Sequence, residues 1–248
     1  MARLTVVVPC YNEADRLDAG ALGAFVDGHP DAALLLVDDG STDATGTVLE
    51  GLAAERPGRM QALRLTPNRG KAEAVREGMR TALAAGAEVV GYLDADLSTP
   101  PAQIDDLHAA LGRPGVQVAT GARVGMLGYD IERSAVRHYL GRVFASAASI
   151  ILQARIYDTQ CGAKLMRRSA ALLEALDEPF TSRWVFDVDL IGRLLATQAR
   201  RGPISIIEEP LLAWRDIPGS KVRPAHFFTA ATDLARIGWS LRSRRRGD

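Results

Sequence analysis

The sequence predicts an α/β fold in which helices flank a doubly wound, mostly parallel sheet. Short apolar runs of strand length alternate with helical patterns through the first two-thirds of the 248 residues, which is typical of consecutive βαβ units. The hydrophobic fraction of 47% is ordinary for a soluble globular protein. Since no internal repeat or linker interrupts the chain, we expect a single domain with a helical C-terminal region.

The predicted elements of the first half follow one another with short turns between them. Apolar runs, often β-branched, predict the strands Leu4–Val8, Ala33–Val37, Gln61–Leu65, Val89–Leu93 and Val116–Thr120. Apolar residues at helical spacing predict the helices Ala14–Gly28, Ala44–Arg56, Lys71–Ala85 and Gln103–Leu111. Asp43 stands directly before the second helix, where a short polar side chain can cap free amides.

After Gly121 the pattern becomes mainly helical. The predicted elements are the helix Ser134–Arg155, an irregular turn at Asp158–Gly162, the helices Ala170–Ala175 and Val188–Thr197, the strand Ile204–Ile207 and the helix Phe227–Leu241. The longest apolar stretch, Val143–Leu152, is too short to span a bilayer. An integral membrane protein is therefore not expected.

Composition narrows the class of protein and its compartment. The net charge is zero, but residues 1–112 carry 9 Lys/Arg and 17 Asp/Glu, whereas residues 113–248 carry 21 and 13. One interpretation is an acidic half for a metal ion and a basic half for phosphates; the other is uneven surface charge. Cys10 and Cys161 lack the spacing of a metal site and suit a reducing compartment. The chain opens on a strand without a leader pattern, so we expect a cytoplasmic protein.

Two carboxylates separated by one residue follow the fourth predicted strand. Asp94 and Asp96 come directly after Val89–Leu93 and precede the loop Ser98–Pro101. Open α/β sheets bind ligands at this carboxyl edge, and carboxylates are hard oxygen ligands for divalent cations. One carboxylate can hold the cation while the other orients a sugar or adds a second ligand. Asp-x-Asp triplets also occur in many surface loops, so the prediction depends on the place at a strand end.

Polar segments also follow the first two predicted strands. Pro9, Tyr11 and Glu13 lie in the first turn, which can seat the base and ribose of a nucleotide. The alternative is a strand-to-helix turn with Tyr11 packed against it. Asp38 and Asp39 end the second strand and can accept hydrogen bonds from a base or a ribose. They fit equally a turn that caps the next helix.

A basic residue begins the third predicted helix. Lys71 follows the segment Asn68-Arg69-Gly70. Its ammonium, together with the free amides of the first helical turn, can bind a phosphate. The alternative is an ordinary loop and helix start.

The order of these motifs resembles that of the family 2 glycosyltransferases, whose nucleotide-sugar domain has the GT-A fold. The resemblance covers residues 4 to 125, through Pro-x-Tyr-Asn-Glu, Asp-Asp-Gly-Ser-Thr-Asp, Asn-x-Gly-Lys and Asp-x-Asp. Further motifs look like those of the dolichyl-phosphate β-glucosyltransferase branch and related polyprenyl-phosphate glycosyltransferases. These motifs are Thr120–Arg123, Arg133–Ser134, Asp158–Lys164, Arg183–Leu190 and Trp214–Lys221.

The resemblance implies how the donor would be held. It places Asp39 at the uracil or ribose of a UDP-sugar and Asp94 near the ribose and the metal ion. Asp96 would be a ligand of Mg²⁺ or Mn²⁺ beside the diphosphate. The segment from Pro9 to Glu13 and residue Lys71 would complete the nucleotide site.

The resemblance also implies roles in the second half. Arg123, Arg133 and Lys221 would face the phosphates of the donor or the acceptor. Asp187 and Asp189 would lie beneath the sugar, where inverting members present an acidic residue. Without the family, Arg133 fits a solvated helix face, and the two aspartates fit exposed acids on a half-buried strand or at a helix start.

The end of the chain combines apolar and basic residues. The predicted helix Phe227–Leu241 is followed by Arg242 and Arg244–Arg246. Such a helix can lie on an anionic membrane surface or dock onto its own domain. We therefore expect either peripheral contact with the inner face of the membrane or a packed C-terminal helix. Since no recognition motif is present, a nucleic-acid partner is not expected.

Together these features predict a metal-dependent, inverting glycosyltransferase. Residues 1–125 would bind the UDP-sugar, with UDP-glucose expected, and residues 126–248 would bind a polyprenyl or dolichyl phosphate. Eukaryotic members of the branch carry an N-terminal membrane anchor, whereas this chain opens on its first strand. A soluble transferase with a small-molecule acceptor and a GDP-mannose-dependent mannosyltransferase are the alternatives. Intact Asp94, Asp96 and Asp187 disfavour an inactive sugar-nucleotide sensor. The sequence leaves the oligomeric state open.

Overall fold

The computed structural model describes residues 3–132, 135–215, 217 and 225–246, and a seven-stranded sheet forms its centre. The strands are β1 Leu4–Cys10, β2 Ala32–Asp38, β3 Met60–Arg64, β4 Val89–Leu93, β5 Val116–Ala122, β6 Asp130–Glu132, β7 Ala163–Arg167, β8 Ser205–Pro210 and β9 Ala213–Arg215. The helices are α1 Ala19–Gly28, α2 Thr45–Glu55, α3 Lys71–Ala84, α4 Gln103–Leu111, α5 Ala135–Leu152, α6 Ala170–Ala175, α7 Phe186–Ala196, α8 Gln198–Arg201 and α9 Ala225–Arg246.

The sheet is mostly parallel, as predicted. Its order is β3-β2-β1-β4-β7-β5-β8, while β6 and β9 form a separate two-stranded pair. Strand β7 runs antiparallel to both of its neighbours, and the other strands of the large sheet run in one direction. The sequence analysis missed β7, which is short and follows an irregular turn. Its amino end therefore lies at the same edge as the carboxyl ends of β1, β2, β4 and β5.

Strand β7 can lie close to β4 because Gly91 has no side chain. In the pairing of these strands Gly91 stands opposite Leu165. A Cβ on Gly91 would lie 1.9 Å from the carbonyl oxygen of Lys164. The close approach continues to the strand ends, where the amide of Asp94 donates to the carbonyl oxygen of Gly162 at 2.9 Å.

The core lies on both faces of the sheet, because side chains alternate along each strand. Val6 and Val8 of β1 belong to the cluster that α1, α2 and α4 cover. Val7 points to the other face, into the cluster covered by α3, α6 and α7. A third cluster joins α5, α7 and α9, with Ile237 and Leu241 of α9 fully buried. The helices therefore cover both faces, as a doubly wound sheet requires.

Several helix boundaries differ from the predicted ones. Helix α1 begins at Ala19 instead of Ala14, because the side chain of Asp18 accepts a hydrogen bond from the amide of Ala21 at 2.8 Å and caps the helix there. The carboxylate of Asp43 accepts from the amide of Thr45 at 3.0 Å, although the residue next to α2 is Ala44. Predicted bounds for β4 and α4 agree with the structure.

Helix α9 packs against its own domain. Leu234, Ile237 and Leu241 are buried against α5 and α7, while Trp239 is 75% exposed. Across residues 3–132, 135–215 and 225–246, no helix combines the length and the apolar character needed to cross a bilayer. One face of α9 thus docks onto its own domain, which is one of the two predicted arrangements. The outer face carries the exposed side chain of Trp239.

Candidate active site

The predicted site residues converge on one edge of the sheet. The carboxyl ends of β1, β2, β4 and β5 meet there, together with the amino end of β7. The strand ends bring Pro9, Tyr11, Glu13, Asp38, Asp39, Asp94, Asp96 and Arg123 to this edge, and helix starts add Lys71 and Asp187. Arg133 and Lys221 lie outside the described residues, so their predicted contacts with phosphate stay predictions.

The first two loops are held together by hydrogen bonds. The amide of Asn12 donates to the hydroxyl of Ser41 at 3.0 Å, and the amide of Thr42 donates to the side-chain oxygen of Asn12 at 2.9 Å. The amide of Glu13 donates to the hydroxyl of Thr45 at 2.8 Å. The turn from Pro9 to Glu13 is therefore fixed against the loop after β2, and Tyr11 stands exposed at its rim.

Asp39 organises the loop in front of α3. One of its buried oxygens accepts from the amide of Arg69 at 2.8 Å, and the other accepts from the amide of Gly70 at 2.7 Å and from the side-chain amide of Asn68 at 2.9 Å. Burial raises the pKa of Asp39, and the bonds from the backbone amides oppose that rise. Arg183 reaches the same loop, donating to the carbonyl oxygen of Arg69 at 3.0 Å.

The side chain of Asp38 makes its contacts within the turn after β2 and with the neighbouring strand β3. Its carboxylate accepts from the amide of Ser41 at 2.8 Å and lies 3.4 Å from the guanidinium of Arg64. The residue is buried, and both contacts belong to the local turn and strand. This geometry fits the turn-capping alternative better than contact with a nucleotide, so the nucleotide role of Asp38 stays an untested prediction.

Lys71 and Asp94 form the centre of the site. The ammonium nitrogen of Lys71 lies 2.6 Å from the Oδ1 of Asp94, and both side chains are partly exposed. Burial lowers the pKa of Lys71, but the carboxylates of Asp94 and Asp187 more than compensate, so the pKa is raised overall. A Cβ on Gly162 would lie 2.3 Å from the Oδ2 of Asp94. The glycine therefore leaves the space in which this carboxylate stands.

The two carboxylates after β4 fit a divalent cation that is shared with a diphosphate. Asp96 is partly exposed, and its Oδ1 accepts from the amide of Ser98 at 3.0 Å. Among the described residues, no group of three or more His, Cys, Asp and Glu side chains could hold a metal by itself. Mg²⁺ is often held by one or two carboxylates together with substrate phosphates. Asp94 and Asp96 supply such a set of hard ligands.

Asp187 begins helix α7 and is held by residues from the sheet. Its Oδ1 lies 2.8 Å from the ammonium of Lys164 and accepts a hydrogen bond from the hydroxyl of Tyr92. The side-chain amide of Gln160 lies 3.5 Å from its Oδ2. Burial raises the pKa of Asp187 to about 8, and the charge of Lys71 opposes that rise.

Asp189 is buried beside Arg193, and these contacts fit a structural role better than its predicted catalytic one. The side chain is fully buried, and its oxygens lie 3.0 Å from the Nε and the Nη2 of Arg193. The amide of Thr181 donates to the Oδ2 at 2.7 Å. Residues two apart on a helix point in directions that differ by about 200°. The contacts of Asp189 thus join α7 to the preceding loop, and its predicted catalytic role stays an untested prediction.

Arg123 is engaged with the loop before β7. Its guanidinium forms two hydrogen bonds with Asp158, at 2.6 and 2.8 Å. Burial would raise the pKa of Asp158, but the contact with Arg123 lowers it to about 2. Glu208 anchors the same loop by accepting from the amide of Asp158 at 2.7 Å. Arg123 thus positions the loop next to Asp94, and its predicted contact with a phosphate is untested.

Three residues around Asp187 were not among the predicted site residues. Lys164, Tyr92 and Gln160 approach it from β7, β4 and the loop between α5 and β7. A signal was present for Lys164, because a lysine between apolar residues of a short run is unusual in a buried strand. The pairing itself joins positions far apart in sequence, so no local pattern could predict it.

Comparisons with known proteins agree with this geometry. Residues 5–172 match the sequence profile of the family described as Glycosyl transferase family 2. The dolichyl-phosphate beta-glucosyltransferase of Drosophila melanogaster is 33% identical over 89% of this chain and 69% of its own length. The polyprenol monophosphomannose synthase of Mycolicibacterium smegmatis is 27% identical over 98% of this chain and 88% of its own length.

A solved structure shares the fold. Glucosyl-3-phosphoglycerate synthase of Mycobacterium tuberculosis, in complex with Mn²⁺, UDP-glucose and phosphoglyceric acid, superposes with a TM-score of 0.66 at 20% identity. The superposition covers 96% of this chain and 80% of the other. The predicted GT-A fold is confirmed by this similarity and by the sheet topology.

Proposed function

Because the chain belongs to glycosyl transferase family 2, we propose that it transfers glucose from UDP-glucose to a polyprenyl or dolichyl phosphate, with inversion at the anomeric carbon. The observation that carries this proposal is the arrangement of Asp94, Asp96 and Lys71 beside Asp187 at the carboxyl edge of the sheet. The similarity to a dolichyl-phosphate beta-glucosyltransferase supports the sugar and the acceptor. The glucosyl-3-phosphoglycerate synthase structure, which holds Mn²⁺ and UDP-glucose, supports a UDP-sugar and a divalent cation as the other components.

The donor would lie across the ends of β1, β2 and β4, in the half formed by residues 1–125. The loops after β1 and β2, which are hydrogen-bonded to each other, would surround the uridine together with Asp39. Lys71 would reach the diphosphate from the start of α3. Asp94 and Asp96 would hold Mg²⁺ or Mn²⁺, which, when bound, neutralises charge on the leaving diphosphate. Lys71 already pairs with Asp94, so this ammonium can move between the carboxylate and a phosphate over a short distance.

The acceptor would approach from the half formed by residues 126–248. A phosphate oxygen of the acceptor attacks the anomeric carbon, a new carbon–oxygen bond forms, and the bond to UDP breaks with its electrons passing to the diphosphate. Basic side chains stabilise the charge that develops there, and Arg133 and Lys221 are the predicted ones. Because a phosphate is already ionised at neutral pH, Asp187 needs only to orient the acceptor or sugar.

An exposed apolar stripe would bring the enzyme to the membrane that holds such a lipid. Tyr139, Val143 and Ile150 of α5 are 71%, 70% and 78% exposed, and their spacing of four and seven residues places them on one face. Trp239 of α9, a helix that packs against α5, is also largely exposed. Aromatic and aliphatic side chains on one helix face favour reversible binding in the interfacial layer.

A screen of donors and acceptors tests this proposal. UDP-glucose, UDP-N-acetylglucosamine and GDP-mannose would be offered with Mn²⁺, each with a polyprenyl phosphate or a water-soluble phosphorylated acceptor. We expect transfer from UDP-glucose to the polyprenyl phosphate. Preference for GDP-mannose would favour the function named for the Mycolicibacterium smegmatis relative. Preference for the water-soluble acceptor would favour the small-molecule alternative.

A further inference from the structure

We propose that Lys164 is a positioning residue, which together with the hydroxyl of Tyr92 holds one oxygen of Asp187 so that the other oxygen faces the sugar of the donor. This inference rests on the proposed function, since it assigns how the acidic residue at the reaction centre is presented. Neither Lys164 nor Tyr92 carries a predicted role, and both belong to the core strands behind the site.

The first observation is a lysine with no exposed surface. Lys164 lies on β7, inside the seven-stranded sheet, and its side chain is 0% exposed. Lysines are almost never fully buried unless they are paired. Its ammonium lies 2.7 Å from the carbonyl oxygen of Cys161 and 2.8 Å from the Oδ1 of Asp187. The carboxylate that compensates this buried charge is thus one that lies at the substrate edge of the sheet.

The second observation is the asymmetry of the contacts around Asp187. Its Oδ1 receives both Lys164 and the hydroxyl of Tyr92. Its Oδ2 is approached by the side-chain amide of Gln160 at the long distance of 3.5 Å, and the residue's own backbone amide also hydrogen-bonds the carboxylate. An ionised carboxylate oxygen can accept about two hydrogen bonds. The Oδ2 therefore keeps the capacity to accept a hydrogen bond from a hydroxyl of the sugar.

The third observation concerns charge. Burial raises the pKa of Asp187 and lowers the pKa of Lys164, each to about 8, so burial disfavours the charged form of both. The direct contact with an ammonium favours the carboxylate form of Asp187. The other titratable groups near the pair are Tyr92, Lys71, Asp94, Asp158 and Cys161. Lys164 is the cation that touches Asp187 directly.

The geometry also explains the position of β7. This strand enters the sheet antiparallel between β4 and β5, and the register places Lys164 opposite Tyr92. Both side chains therefore leave the sheet on the same face, towards the start of α7. The strand that the sequence analysis missed thus supplies the group that orients Asp187.

Steady-state kinetics of the Lys164→Met variant test the proposal. We expect kcat to fall about 100-fold, the scale of a misplaced orienting contact, while the KM for UDP-glucose and the binding of UDP with Mn²⁺ stay within about threefold of the wild type. The acidic limb of the kcat profile should move to higher pH, because removal of the ammonium favours protonated Asp187. A purely structural lysine would not shift that limb.

A double-mutant cycle separates positioning from simple damage. Asp187→Asn should lower kcat to a similar extent, and adding Lys164→Met should lower it no further, because the two residues act as one unit. Arg193→Met is the matched control, since it breaks the other buried ion pair of α7. Its effect should add to that of Asp187→Asn. Tyr92→Phe, which removes only a hydroxyl, should lower kcat about tenfold and serves if Lys164→Met does not fold.

The result that would overturn the inference is a folded, UDP-binding Lys164→Met protein with kcat within twofold of the wild type, or losses that add to those of Asp187→Asn. Unchanged kcat in Tyr92→Phe overturns the part assigned to Tyr92. The cycle is run with the donor and acceptor that the wild type prefers, so a different substrate corrects the proposed function without deciding this test. A wild type without any transferase activity refutes both.

Discussion

The chain contains two Asp-x-Asp triplets that differ in backbone structure, exposure and contacts. Asp94 and Asp96 follow β4 in a loop, and both remain partly exposed at the edge of the sheet. Asp187 and Asp189 begin α7, and both are buried. In the loop, the same spacing keeps two carboxylates within reach of one cation. On the helix, it turns them about 200° apart, so that one meets Lys164 and the other meets Arg193.

The difference shows that spacing predicts chemistry only once the backbone is known. Asp94 has a partly exposed lysine as its partner, which a ligand can replace. Asp189 has a buried guanidinium and a backbone amide as partners, which nothing can replace without opening the core. Asp187 lies between these extremes, because it is buried yet belongs to the site. Substitution of single carboxylates by their amides tests this difference directly.

The largest effect is expected from Asp189→Asn. The substitution leaves the guanidinium of Arg193 buried without its charge partner, and removing one member of a buried pair costs about 3–5 kcal/mol. Chemical denaturation should show the loss as a lower free energy of unfolding, with kcat per folded molecule almost unchanged. A stable Asp189→Asn protein with abolished turnover would favour the predicted catalytic role of Asp189 over a structural one.

Asp96→Asn should have the reverse effect, since it should lower turnover while the stability of the fold is kept. The residue lies in a loop, where its side chain accepts a hydrogen bond from the nearby amide of Ser98, so the fold should survive. Loss of one charged ligand should lower turnover by at least about 100-fold, because a bound cation contributes several kcal/mol. Full activity of the variant, or of the wild type in EDTA, would remove Asp96 from the metal site. Ser98→Ala leaves the backbone amide in place and serves as the control.

The ion pair between Asp158 and Arg123 should appear in the pH dependence of stability. Asp158 has a pKa of about 2 in the folded protein, against the ordinary aspartate pKa of 3.8. The pair therefore stabilises the fold above pH 4 by about 2 kcal/mol, and that stability is lost as the pH falls through the folded pKa. Unfolding measured from pH 6 to pH 2 should show a smaller loss for Arg123→Met. Equal losses in both proteins would contradict the assignment.

A smaller effect is expected at the nucleotide. Asp39→Ala releases the loop from Asn68 to Gly70 and should weaken UDP binding by about 1–2 kcal/mol, the cost of leaving buried donors unpaired. Calorimetry with UDP and Mn²⁺ measures this change, and Asp38→Ala is the comparison for a carboxylate that serves the turn. GDP bound as tightly as UDP by the wild type would overturn the uridine assignment.

The smallest effect is expected at the membrane surface. Trp239→Ser removes an exposed aromatic side chain from α9 and should weaken flotation with anionic liposomes severalfold, while stability stays within about 0.5 kcal/mol. Leu212→Ser is the control, because it replaces an exposed apolar residue outside α5 and α9. If the wild type never floats with the liposomes, the proposed peripheral binding to the membrane is refuted.

Local patterns along the sequence determined much of the fold. The apolar run Val89–Leu93 and the periodic segment Gln103–Leu111 have the predicted bounds, because each was terminated by polar or turn residues that leave little choice. Strand ends carrying Asp39 and Asp94 predicted the site edge, since parallel strands of a doubly wound sheet must end on the same side. The sequence motifs at these strand ends also predicted the family, glycosyl transferase family 2.

Only the tertiary structure decided how the carboxylates are used. Strand β7 has five residues, and its pairing with β4 joins positions about 70 residues apart, so no local signal specified it. That pairing buries Lys164 and directs it to Asp187, while Asp189 turns inward to Arg193. The physical reason is that burial and partner, which set the protonation and the reach of a carboxylate, are properties of the packed chain.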